Sequence, residues 1–224
     1  KLRFLFGDMI EAITMLLLKA SGTTVDSEQK QVSKPSKYFE TGLTGTYDVE
    51  IDNKIYDIKS ASDWAFKNKF SMGFDAVVDK DVFGYKSQGY LYADAENKKF
   101  GGWIVINKST GEMCIVSPPK NDAEHRKEAL KVAEDNIKAL MENKPFERCF
   151  TDVEEKYRNK LTGNRVLDSV CSFCSFKQEC WGDKIEYLPQ QVFDSEGKPR
   201  SKSPRYYWYT HVADRGNNND KEKE

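Results

Sequence analysis

The sequence predicts an α/β protein in which a central β-sheet is flanked by helices. Three observations carry this: helix-spaced apolar residues at the start, period-two alternation between residues 46 and 60, and a second pair of strand-like runs before a long amphipathic helix. At 224 residues, 38% hydrophobic and 32% charged, the chain can bury one sizeable core. No apolar run approaches the roughly 20 residues that a membrane span needs, so no membrane partner is expected. Nothing near the start resembles a signal peptide, and a cytoplasmic location is the expectation. The net charge of −1 leaves any nucleic-acid surface to a local cluster.

Leu5, Met9, Ile13 and Leu16 recur at helical spacing and predict an amphipathic helix over 2–20, with Asp8 and Glu11 on another face and Gly22 just past its end. Residues 46–51 and 55–60 alternate around Asp52-Asn53, a hairpin signal. The stretch 83–95 reads as a helix with Gln88 and Tyr92 one turn apart. "WIVINKSTGEMCIV", 103–116, reads as strand, turn and strand. Residues 121–143 form a long helix with Leu130, Ala133, Ile137 and Leu140 along one face, and Pro145 lies beyond it. From 146 to 181 the chain turns irregular and holds four of the five cysteines. "RYYWYTHV" can form one more strand, and 214–224 has the composition of a disordered tail.

The hairpin poses the functional question. Any two-residue loop here puts Asp48, Asp57 and Lys59 on one face and Tyr47, Val49, Ile51, Tyr56 and Ile58 on the other. One reading is a charged face turned to water, as antiparallel sheets commonly allow. The other is an assembled acidic site, since carboxylates opposed across a ladder repel unless a cation of the magnesium type holds them.

G-x-x-D at Gly45 to Asp48, followed by D-x-K at Asp57, Ile58 and Lys59, resembles the core of the PD-(D/E)XK nuclease superfamily. In its RecB-like exonuclease branch an upstream helix carries Gly and, four residues later, His; "GDMIE" puts Gly7 and Glu11 there, with Glu in place of His. A downstream Q-x-x-x-Y motif is matched by Gln88 and Tyr92 in "QGYLY". The resemblance implies a restriction-endonuclease-like core with a mixed sheet. It implies a magnesium- or manganese-dependent DNA exonuclease acting at DNA ends or on single strands. Glu11, Asp48 and Asp57 would bind the metal with the carbonyl of Ile58, Lys59 would serve the attacking water, and Gln88 and Tyr92 would position the DNA backbone. A non-catalytic DNA-binding module that keeps the fold is the alternative. Under this resemblance 1–190 is the nuclease domain, with its cysteine region at 146–181, and 191–224 is a C-terminal extension.

Cys171, Cys174 and Cys180, spaced C-x2-C-x5-C, suggest metal or cluster ligation. Cys149 can complete a four-thiolate set for zinc or an iron–sulfur cluster. The same spacing resembles the cluster-binding RecB-like members, CRISPR-associated and phage-encoded exonucleases among them, which implies a 4Fe-4S cluster with zinc as the lesser choice. In those the fourth cysteine lies upstream of the first motif helix, so a residue before Lys1 is the second candidate. "ERCF", "GNRVL" and "CSFCSFKQECW" further resemble phage exonucleases of recombination, replication or processing. A zinc-stabilised interaction domain is a third reading. Cys114 and His125 read as structural, and His211 is assigned no chemistry. Between the two motif segments, Trp64, Phe66 and Phe70 interleave with Lys67 and Lys69; this suits either single-stranded DNA or a packed core.

Overall fold

The computed structural model describes residues 2–36, 39–79, 81–144 and 148–213. The chain divides into two compact units, Lys1–Lys144 and Pro145–Glu224. The tail expected to be disordered, 214–224, lies outside the described residues, as do residues 145–147.

The first unit runs α1 (Leu2–Ala20), β1 (Ser27–Ser36), β2 (Phe39–Ile51), β3 (Lys54–Ala61), α2 (Asp63–Asn68), α3 (Phe74–Val78), α4 (Tyr85–Ala95), β4 (Lys99–Asn107), β5 (Met113–Val116) and α5 (Ala123–Met141). Its mixed sheet has the order β1-β2-β3-β4-β5. Only β3 and β4 run parallel, and parallel neighbours need a crossover, which α2 to α4 provide. The hairpin turns where alternation places it. Asp52 and Asn53 both take left-handed φ, 50° and 57°, as a type I′ turn requires.

Both faces of this sheet are buried. On one, Val49, Ile58 and Ile104 pack with Met15 of α1. On the other, Ile55, Trp103 and Val105 meet Phe66, Phe70, Phe74, Val77, Tyr90 and Ala93 from the crossover. Tyr47, expected beside Val49 and Ile58, joins this second core instead. The inward face of α1 also differs from the expectation. Ile10, Thr14 and Met15 are buried, whereas Leu5, Met9, Ile13 and Leu16 are exposed. The stretch is apolar on more than one side, so periodicity alone could not choose between faces. On α5 the buried position is Ala129, while Leu140 is 77% exposed.

The strand β1, SEQKQVSKPS, has no apolar alternation, and among its described side chains only Val32 is buried. It is held by its ladder to β2 and by ion pairs from Lys30 to Glu96 and from Lys34 to Asp94. The helix expected over 83–95 begins two residues later, at Tyr85, because Gly84 is left-handed (φ 72°) and the Asp81 carboxylate accepts the N–H groups of Tyr85 and Lys86.

The second unit contains β6 (Asp152–Tyr157), β7 (Lys160–Leu167), α6 (Ser169–Phe173), α7 (Lys177–Trp181), β8 (Glu186–Pro189) and β9 (Tyr206–His211). They make an antiparallel sheet of order β6-β7-β9-β8. The stretch expected to be irregular thus begins with a hairpin, turned by left-handed Arg158 and Asn159. The boundary expected near 190 falls inside this sheet, since β9 pairs with β7. At its centre Glu155 is buried and satisfied by Thr162, Asn164 and Tyr209.

Candidate functional site

The ladder between β2 and β3 covers only Ile51↔Lys54, Glu50↔Ile55 and Val49↔Tyr56. Continued by register, Asp48 comes opposite Asp57, but no ladder pair forms there. The Asp48 carboxylate takes the place of a ladder carbonyl and accepts the Ile58 N–H at 2.6 Å. A strand residue sends its N–H and C=O to the same side. The Ile58 carbonyl therefore opens on the gap that holds Asp48.

Asp57 is 3% exposed, so the acidic side of the hairpin is not a solvated face. Lys59 Nζ lies 2.6 Å from Asp57 Oδ2 as an ion pair, the close partner of that buried oxygen. Burial, and then the charge of Asp57, push the Asp48 carboxyl up to about 7 against the opposing pull of the Ile58 N–H. Burial also raises Asp57, with Lys59 opposing. Glu11, on α1, is raised by burial and next by the Asp57 charge. Burial alone would lower Lys59, but Asp57 and Asp48 hold it above its ordinary value, and it remains an ammonium. Glu11, Asp48, Asp57 and Lys59, drawn from three elements, thus act on one another's charge.

The lining also includes two residues that the sequence did not single out. Gln29 of β1 sits beside Asp48 in the register with a left-handed φ of 46°, and its amide donates to Glu11 Oε1. No signal in a polar strand marks it. Tyr85 of α4 lies under Lys59, whose Nζ is 4.8 Å from the ring centre. Here a signal existed: Tyr85, Gln88 and Tyr92 follow i, i+3, i+7 and share a helix face. Gln88 Nε2 donates to Tyr92 Oη at 3.1 Å. The Tyr92 ring rests on Gly45, where any Cβ would collide with it.

The proposed strand-contact segment divides. Trp64 is 72% exposed, and Lys67 pairs with Asp63 in solvent at 3.0 Å. Lys69 Nζ lies 5.6 Å from the Tyr85 ring centre. Phe66 and Phe70 belong to the core, so Phe66 is corrected from contact residue to packing residue. The short helix α2 turns it inward.

The four cysteines of the second unit are neighbours. Cys171, in α6, is raised by burial, by Asp168, and by Cys174 and Cys180. Cys180, in α7, is raised by burial, by Cys174 and by Cys149. Arg148 holds this arrangement, donating Nε to the Cys180 carbonyl at 2.9 Å and covering the Trp181 ring at 4.4 Å. Cys149, exposed, is close enough to Cys180 to act on its charge. Among the described residues, no three His, Cys, Asp or Glu side chains stand as a ready metal site. Cys114 lies apart on β5, and His125 packs edge-on to Phe74 at 5.1 Å, both in structural settings.

The donor sets still differ in what they suit. Buried Asp57, part-buried Asp48, both with raised carboxyls, and a backbone carbonyl nearby form an all-oxygen set, which fits a hard divalent ion. The four thiols suit zinc or iron. Among the described residues no helix is long and apolar enough to cross a membrane. Comparison of the sequence with protein-family models and with curated proteins gives no match.

Proposed function

We propose that this protein is a divalent-metal-dependent deoxyribonuclease of the PD-(D/E)XK type, in the RecB-like branch, that hydrolyses phosphodiester bonds at DNA ends or on single strands. One observation carries the proposal. Where the β2–β3 ladder opens, Asp48 and Asp57 face each other with Lys59 against Asp57 and Glu11 close enough to feel the Asp57 charge. The layout supports a restriction-endonuclease-like core: an antiparallel hairpin leads into a parallel strand, with α1 on one sheet face and α4 on the other.

Each side chain then has a task. Asp48, oriented by the Ile58 N–H, and Asp57 would hold magnesium or manganese together with Glu11 and the Ile58 carbonyl. Bound there, the ion would supply Lewis-acid stabilisation of the charge that develops on the scissile phosphate. Lys59 would orient the attacking water and meet the developing charge. Gln88 and Tyr92, locked to each other, would line up the DNA backbone beside β2. In the second unit Cys149, Cys171, Cys174 and Cys180 would hold a 4Fe-4S cluster or zinc, fixing loop-borne sequence as metal binding and folding couple. The phage-type role in recombination, replication or processing rests on the sequence resemblance alone.

The test is cleavage of end-labelled DNA with manganese by the parent protein, Asp57→Asn and Lys59→Ala. The proposal expects divalent-dependent cleavage that falls at least a hundredfold in both variants, with Lys59→Ala still binding manganese. A parent that binds DNA and manganese without cutting would establish the non-catalytic module instead.

A further inference from the structure

In the second unit, strands β8 and β9 pair Tyr187 with Trp208 and Pro189 with Tyr206. Facing residues share a sheet face, and so do i, i+2 neighbours. Tyr187, Tyr206 and Trp208 therefore stand on one side, and they touch: ring centres are 4.8 Å apart for Tyr187 and Trp208 and 5.2 Å for Tyr187 and Tyr206. Tyr187 and Tyr206 remain 53% and 55% exposed, whereas Trp208 is part-buried and packs on Leu167, Trp181 and Ile185. The opposite face has its partner, since Tyr209 is buried on Glu155.

Cations accompany these rings. Lys177 Nζ lies 5.5 Å from the Trp208 ring centre. The segment that feeds β9 brings exposed Lys202 and Arg205, and no Asp or Glu occurs between Gly197 and Ala213. In a chain of net charge −1 this is a local basic stretch. Exposed aromatics beside cations match the chemistry of an unpaired polynucleotide: each base offers a flat face to a ring, and its phosphates meet the cations. A duplex keeps its bases stacked inside and offers the rings nothing.

We infer that the β8–β9 aromatic face is a binding platform for a single-stranded polynucleotide. It is distinct from the acidic site of the first unit and does not depend on that site being catalytic.

The test is fluorescence anisotropy with labelled dT20 and U20, a 20-base-pair duplex as control, the full chain, and EDTA throughout so that cleavage does not enter. Tyr206→Ala should weaken single-strand binding about tenfold, and Tyr187→Ala with Tyr206→Ala about a hundredfold. The Tyr187→Phe, Tyr206→Phe pair should keep parental affinity, because a ring remains. If the double alanine variant does not fold, as judged by circular dichroism, the Leu pair replaces it and should show the same loss with the apolar cover kept. Single-strand affinity within twofold of the parent in a folded ring-free variant overturns the inference. So does a duplex bound as tightly as dT20.

Discussion

Replacing Asp48 with asparagine should make the metal-free protein more stable at pH 8, the reverse of what the loss of a paired surface charge would do. The folded-state value of Asp48 is raised from 3.8 to about 7. A carboxyl raised on folding contributes stability that is fully present below about pH 4 and is lost as pH climbs to about 7, staying lost beyond. About 3 units correspond to about 4 kcal/mol. Asp48 titrates together with Asp57, so the part removed with the Asp48 charge alone is smaller, on the order of 2 kcal/mol. Asparagine keeps an oxygen for the Ile58 N–H and removes the charge. For a chain of this size about 2 kcal/mol raises Tm by about 6 °C. The assay is thermal unfolding by circular dichroism in EDTA at pH 8 and at pH 4, where the two proteins should converge. Manganese at a hundred times its Kd should restore about 2.7 kcal/mol to the parent and little to the variant. A parent that is the more stable of the two in EDTA at pH 8 would refute the reasoning, since Asp48 would then be a stabilising partner rather than an uncompensated charge.

Two further outcomes follow from particular contacts. Gly45→Ala should displace the Tyr92 ring, because a Cβ at that position collides with it; cleavage should fall at least tenfold while manganese still stabilises the protein, read by the same melts. Cys174→Ser should lower bound iron or zinc, measured by metal analysis, and destabilise the second unit in limited proteolysis, while manganese protection of the first unit is retained.

Local patterning carried the sheet centre. Asp52-Asn53 with alternation on both sides leads to one hairpin under any register, and the hairpin is there. Asp48, Asp57 and Lys59 were legible for the same reason, and Gln88 with Tyr92 through helical spacing. What could not be read depended on tertiary choice. The first helix offered more than one apolar side, and it is the side carrying Ile10, Thr14 and Met15 that packs on Val49 and Ile58. The strand β1 shows no alternation because salt bridges and a ladder hold it rather than an apolar face. Phe66 looked like a contact residue because an aromatic next to lysines suits a core or a nucleic-acid surface equally until the backbone direction is known. The β6–β7 hairpin hid in a charged run, its turn made by Arg158 and Asn159 rather than by glycine.

The position of Tyr47 shows why the acidic site lies where it does. In an unbroken antiparallel ladder Tyr47 would face Ile58 and share its side of the sheet. Instead Tyr47 is buried with Ile55 and Trp103, and Ile58 with Met15 and Ile104, on opposite faces. The two strands have therefore parted between Val49 and Asp48. Parting leaves the Ile58 N–H without a ladder carbonyl, and a buried N–H must find another acceptor. Only a side chain from the departing strand is at hand, and Asp48 supplies it at 2.6 Å. That one substitution of carboxylate for carbonyl brings a negative charge against Asp57, and it turns the Ile58 carbonyl toward the same opening. A neutral acceptor at 48 would satisfy the backbone equally well without the repulsion. The charge at this position thus has no structural necessity, and under the proposed function a divalent ion held there would give it one.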